Sequence, residues 1–176
     1  MRRDLNILDN DTFERLFRDL YTSLCRYCIR FVRRPEIAEE IVQEQFIYIW
    51  EKRNELSIHT SFKSYLYMAV KNKSINYLQS KFAKIQYLQG ECSYELKENA
   101  DPHSIIEDQE LTEIISEAMD LLSEKCYIIF SMRRFGDFTN KQIARALNIS
   151  EKTVENQITI AFKKLRPILV KSILLA

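Results

Sequence analysis

The chain has 176 residues, enough for one or two small domains. Only 2 Gly and 3 Pro are present, and alternating β-branched runs are few, so an all-α protein is expected. No apolar run approaches the ~20 residues that span a bilayer, and Met1-Arg2-Arg3-Asp4-Leu5-Asn6 holds no apolar signal core, which argues against membrane insertion and for the cytoplasm.

The net charge is only +1, but its distribution is uneven. Residues 1–80 carry 13 basic and 11 acidic side chains, residues 81–110 carry 3 and 7, and residues 111–176 carry 10 and 7. Within the first block, residues 35–55 hold six glutamates against Lys52 and Arg53, while residues 56–90 hold five lysines and no acid. Adjacent blocks of opposite sign point to two partners of opposite charge.

Residues 10–33 read as a helix, with Phe13, Leu16, Phe17, Leu20, Leu24 and Phe31 at helical spacing. Cys25 and Cys28 fall inside that pattern. A lone Cys-x-x-Cys without a second ligand pair reads as buried helix thiols, so neither a metal nor another cofactor is expected. Pro35 suits the first turn of a second helix, where its missing donor is harmless, running to about Lys52. Its inner stripe is Ala38, Ile41, Val42, Gln45 and Ile49; its outer face carries Glu40, Glu44 and Glu51. Residues 54–61 read as a loop. Ser61 then caps a third helix from Phe62 to about Lys81, with Leu66, Ala69, Val70 and Tyr77 inward. Lys63, Tyr67 and Lys71 follow at four-residue steps on what reads as its outer face. Cations that track a backbone, beside rings that stack on bases, are what capture of a single strand requires. These helices make a first domain, residues 1–82.

Residues 83–104 lose periodicity, hold Gly90 and Pro102 and are acidic, so they read as a flexible linker. A second domain, residues 105–176, follows. Its pattern resumes at Ile105, passes through Leu122, and restarts at Ser123 or Glu124 for a helix to about Phe135. Gly136 and Asp137 then turn the chain into a helix-turn-helix. Thr139 and Gln142 form a capping box, and Ile143, Ala144 and Leu147 line one face. Asn148 tolerates the left-handed turn, Ser150 caps the next helix, and Val154, Ile158, Ala161 and Leu165 form its buried stripe. At ~100° per residue, Lys152, Asn156, Thr159 and Lys163 lie opposite that stripe, with Glu155 on its flank. Such a helix reads base edges with its N-terminal half: Lys152, Glu155, Asn156 and Thr159 suit bases, while Lys163, Lys164 and Arg166 suit phosphates.

Two helical domains in this order resemble the extracytoplasmic-function group of the sigma-70 family of bacterial RNA polymerase sigma factors. The residues that carry the resemblance in the first domain are Glu39-Glu40-Ile41-Val42-Gln43-Glu44-Gln45-Phe46-Ile47-Tyr48-Ile49-Trp50-Glu51-Lys52, Ser61-Phe62-Lys63-Ser64-Tyr65-Leu66-Tyr67 and Lys71-Asn72-Lys73-Ser74-Ile75-Asn76-Tyr77-Leu78. In the second they are Phe135-Gly136-Asp137-Phe138 and the helix-turn-helix. The resemblance implies a promoter-specificity factor that binds core polymerase, recognises the minus-35 and minus-10 elements and promotes melting. It implies core contacts by Glu40, Gln43, Glu44, Ile47 and Glu51. It implies minus-10 contacts by Ser61, Phe62, Lys63, Tyr67, Lys71, Asn72 and Asn76, with a flipped base taken in the loop before Ser61. Minus-35 contacts fall to Lys152, Thr153, Glu155, Asn156, Gln157, Thr159, Lys163 and Lys164. Promoter DNA and core polymerase are thus the partners, and an anti-sigma factor is a third that the group commonly has. The chain departs from many relatives at Asn76, where they carry Asp, and at Gln157, where they carry Arg.

A helix-turn-helix regulator that acts without docking on core polymerase is the alternative. It accounts for the C-terminal domain but leaves the acidic and lysine-rich N-terminal helices without a purpose. An enzyme is not expected, since there is no Gly-rich phosphate loop, no metal-ligand cluster and no nucleophile–His–acid set.

Overall fold

The structure is a computed structural model that describes residues 9–56, 58, 61–88 and 118–175, with side chains as far as residue 168. Six helices are described: α1 (Asn10–Val32), α2 (Pro35–Glu51), α3 (Phe62–Leu88), α4 (Glu124–Arg134), α5 (Asn140–Leu147) and α6 (Glu151–Leu175). No strand occurs among the described residues, so the expected all-α class holds. The chain divides into two compact units, residues 1–77 and 78–176.

In the first unit, Asp9 caps α1 by accepting from the Thr12 amide at 2.9 Å. The helix ends at Arg33, which takes the left-handed conformation (φ 66) so that its N–H reaches the Ile29 carbonyl. Pro35 then starts α2 within two residues, which makes α1 and α2 near neighbours. Their interface is aromatic at one end. Phe46 meets Phe13 edge-on at 5.9 Å and Phe17 at 4.9 Å, and Phe13 lies 4.9 Å from Trp50. Leu24, Cys28 and Phe31 of α1 and Ala38, Val42 and Ile49 of α2 are fully or almost fully buried. Cys28 and Ser74 share a buried hydrogen bond of 3.1 Å that ties α1 to α3. Burial, only partly offset by that bond, pushes the Cys28 thiol up to about 11, which makes it a packing group. No His, Cys, Asp or Glu cluster with metal-binding geometry exists among the described residues.

The third helix exceeds its expected end near Lys81 by seven residues. The stripe simply continues: Leu78 and Phe82 are buried and Ile85 is half-buried, at steps of four and three. Residues 83–88 are therefore helix where a linker was expected. The rest of that linker, with Cys92 and His103, lies outside the described residues, as do His59 and the helix expected from Ile105 to residue 117.

In the second unit, α4 is buried on every side from Cys126 to Met132. Helices so enclosed are core elements rather than surface ones. Ala118, Met119, Leu122, Cys126, Tyr127, Phe130, Ala161 and Leu165 form one cluster, against which Phe135, Ile158 and Ile168 pack. The α4–α5 corner depends on Gly136. Its N–H reaches the Ser131 carbonyl, and a Cβ there would lie 2.6 Å from the Met132 carbonyl oxygen, a backbone atom that cannot swing away. The next residue, Asp137, takes φ 60. We predict that Gly136→Ala destabilises the protein by ~1–3 kcal/mol, the range for overpacking a tight site. Chemical denaturation monitored by circular dichroism measures it, and an unchanged midpoint would contradict the corner as described.

Candidate nucleic-acid interface

The second helix of the helix-turn-helix is held by its neighbours and its caps together. The Thr139 hydroxyl accepts from the Gln142 amide at 3.2 Å, and the Gln142 side chain accepts from the Thr139 amide at 2.8 Å, closing the capping box. Asn148 ends α5 in the left-handed conformation (φ 51, ψ 53). The Ser150 hydroxyl accepts from the Thr153 amide at 3.0 Å and starts α6. Ile143, Ala144 and Leu147 of α5 and Val154, Ala161 and Leu165 of α6 are buried, with Ile158 half-buried beside them. Each of these roles matches the expectation from sequence. The helix α6 runs on through Pro167 to Leu175.

Burying that stripe turns Lys152, Glu155, Asn156, Thr159 and Lys163 outward, all exposed. The first four stand at i, i+3, i+4 and i+7, the spacing at which one helix face can line a groove. Glu155, an acid on the face expected to meet DNA, pairs with Lys152 at 3.5 Å, so the two present a locally neutral pair. The Thr159 hydroxyl donates to the Glu155 carbonyl at 2.8 Å. Asn156 makes no side-chain hydrogen bond among the described residues. The remaining three expected contacts sit to the side. Thr153 is engaged with Ser150, its hydroxyl 2.9 Å from that of the cap. Gln157 is half-buried where Cys126 donates to its carbonyl at 3.3 Å. Lys164 donates to the Leu121 carbonyl at 3.1 Å and so anchors α6 to the turn before α4.

In the first unit the seven expected strand-capturing residues separate. Lys63, Asn72 and Asn76 are exposed. Ser61 is a helix cap, accepting from the Ser64 amide at 3.1 Å, and Phe62 is half-buried. The expectation that Tyr67 and Lys71 face outward is corrected: they are 9% and 6% exposed. Tyr67 meets Tyr27 of α1 edge-on at 5.2 Å. The buried arc of α3 is wider than one stripe, because Leu66, Tyr67, Val70, Lys71, Ser74 and Ile75 are all covered. At ~100° per residue Lys63 also lies nearly opposite Asn72 on the helix, so the two do not share a face. The loop expected to hold a flipped base is described only in part; Ile58 within it is buried.

The acidic face of α2 is intact. Glu40, Gln43, Glu44 and Glu51 are exposed, and Ile47 among them is 55% exposed. Two contacts there had no signal in the sequence. The Gln43 amide donates to the Tyr21 hydroxyl of α1 at 3.1 Å, and burial holds the Tyr21 hydroxyl above its ordinary pKa. Glu44 pairs with Lys73 of α3 at 3.2 Å, both about half exposed, which contributes ~0–1 kcal/mol. Lys73, exposed on α3 near Asn72 and Asn76, was not among the expected contacts.

Two family models match the chain: "Sigma-70 region 2" over residues 16–82 and "Sigma-70, region 4" over residues 112–165. No curated protein is significantly similar to it. Among solved structures, the chain is similar to the sigma factor RpoE of Bartonella quintana, determined in complex with the anti-sigma factor NepR. The identity is 15% over 89% of this chain and 96% of that one, with a TM-score of 0.43.

The outward face of α6 generates a test on duplex DNA. Asn156→Ala is expected to change base preference at one or two positions, at ~1–3 kcal/mol for a lost bidentate contact. Lys163→Ala is expected to weaken all sequences alike and to lower the salt slope by about one. Binding to a randomised library at two salt concentrations separates the two effects, and the opposite assignment of effects would show that α6 faces DNA otherwise.

Proposed function

The chain belongs to the sigma-70 family of RNA polymerase sigma factors, and from that premise we propose that it gives core polymerase its promoter specificity. Region 2 followed by region 4 is the arrangement of the extracytoplasmic-function group. The family recognises DNA and carries out no covalent chemistry, so the chain is not an enzyme. In our reading, α2 docks on the clamp helices of core polymerase through Glu40, Gln43, Glu44, Ile47 and Glu51. The exposed face of α3, with Lys73, Asn72 and Asn76, then holds the opened minus-10 strand, and α6 reads the minus-35 duplex.

The observation that carries this reading is that α2 keeps five residues of the expected docking set exposed on one face while its opposite stripe fills the core. An apolar Ile47 ringed by carboxylates is poorly suited to DNA and well suited to a basic, partly apolar protein surface. A regulator working without polymerase gives that face no purpose. Such a factor acts where polymerase and promoter DNA are, in the cytoplasm; no described helix is long and apolar enough to cross a membrane. An anti-sigma factor completes the proposed partners, on the strength of the group resemblance.

Core binding tests the reading. Glu44→Lys should lower affinity for core polymerase about tenfold, or ~1.4 kcal/mol. Because Glu44 pairs with Lys73, that change also sets two lysines together, so Glu40→Lys, at an exposed glutamate with no ion pair among the described residues, serves as a companion. Fluorescence anisotropy against core polymerase provides the measurement, with thermal unfolding as the control for folding. Wild-type affinity in both variants would remove α2 as the docking surface.

A further inference from the structure

The outward side chains of α6 differ in which of their hydrogen-bonding groups are already used. A threonine hydroxyl has one proton. In Thr159 that proton is given to the Glu155 carbonyl at 2.8 Å, one turn back along α6. Thr159 therefore cannot donate to guanine O6 or N7, or to thymine O4, without breaking a bond inside its own helix. The same bond fixes the side-chain rotamer, so the methyl group is held in place on an exposed residue. What Thr159 presents to a groove is an apolar methyl of set direction.

Asn156 is the complement. It is exposed, three residues before Thr159, and its carboxamide makes no hydrogen bond among the described residues. Both its donor and its acceptor are available, the pair that fits the N6 and N7 edge of adenine. Side chains three apart on a helix have β-carbons ~5–6 Å apart, and bases along a strand are spaced ~3.4 Å, so the two side chains fall on neighbouring base pairs. Glu155 and Lys152 beside them are occupied with one another at 3.5 Å.

We propose that the centre of α6 reads an adenine through Asn156 and a neighbouring thymine through the Thr159 methyl, packed on the thymine C5-methyl. The proposal rests on the reading of α6 as the minus-35 helix and adds the bases it selects. A methyl-to-methyl contact is the apolar form of major-groove readout, and it discriminates thymine from cytosine without any hydrogen bond.

The test uses holoenzyme assembled from the full chain and core polymerase. Promoter duplexes are first enriched from a library randomised across the minus-35 element. The enriched thymine is then replaced by deoxyuridine, which differs only in lacking the C5-methyl. Loss of one buried methyl should weaken wild-type binding about fourfold. Thr159→Val keeps a methyl and loses the hydroxyl, so its response to deoxyuridine should match the wild type. Thr159→Ser keeps the hydroxyl and loses the methyl, so it should bind both duplexes equally. Wild-type indifference to deoxyuridine, a full response in Thr159→Ser, or enrichment without an adenine beside a thymine would each overturn the proposal. Failure of the holoenzyme to enrich any minus-35 sequence would instead overturn the reading of α6 on which it rests. Circular dichroism of both variants confirms that α6 remains folded.

Discussion

The rotation of α6 about its own axis is the constraint on which the surface proposed to read DNA depends. Ala161 and Leu165 lock into the cluster built by Cys126, Tyr127 and Phe130, and Val154 is buried one turn after the cap. Slipping the buried stripe by one residue would turn the helix by ~100° and present a different set of side chains to DNA. The enclosure of α4 resists this, because the seat it provides is filled and close-packed, and such seats do not deform continuously. The lever arms are small and polar: a capping box at Thr139, a left-handed Asn148, a Ser150 cap and Lys164 on the Leu121 carbonyl. They set where α6 begins and how it is anchored, while the apolar stripe sets which way it faces.

The first unit solves a different problem. It carries the acidic face of α2, proposed to dock on polymerase, beside the α3 face of Asn72, Lys73 and Asn76, proposed to hold a strand. The Glu44–Lys73 pair is the one place among the described residues where the two faces are joined by an ion pair. Its half-exposed geometry makes it weak, so a polymerase cation or a phosphate competes for either partner at little cost. The aromatic contacts of Phe13, Phe17, Phe46 and Trp50 hold α1 against α2 by burial instead of charge, which leaves the carboxylates of α2 for other partners.

Features encoded over three or four residues were legible in the sequence. The capping box, the turn at Asn148, the Ser150 cap, Pro35 at the start of α2 and the buried stripes of α5 and α6 are all local patterns, and each is where periodicity placed it. What was not legible depended on who packs against whom. Tyr67 and Lys71 step by four residues and look like a solvent face, yet Tyr67 meets Tyr27 of α1 and the covered arc of α3 includes both. The Gln43–Tyr21 bond links positions 22 apart, and the Glu44–Lys73 pair positions 29 apart; no local pattern announces either. The end of α3 is illegible in the sequence for a different reason. Phe82 and Ile85 extend the stripe with no breaker before Gly90, but the changed composition nearby hid their spacing.

In the proposed function one chain addresses two segments of a promoter with two helical units. Site-specific photo-cross-linking tests it most directly, with a reactive side chain at position 73 or at position 156 in holoenzyme bound to promoter DNA. Position 156 is expected to label the minus-35 duplex, with or without strand opening, and position 73 the minus-10 segment. Labelling of one and the same segment from both positions, or labelling of the minus-10 segment from position 156, would contradict it.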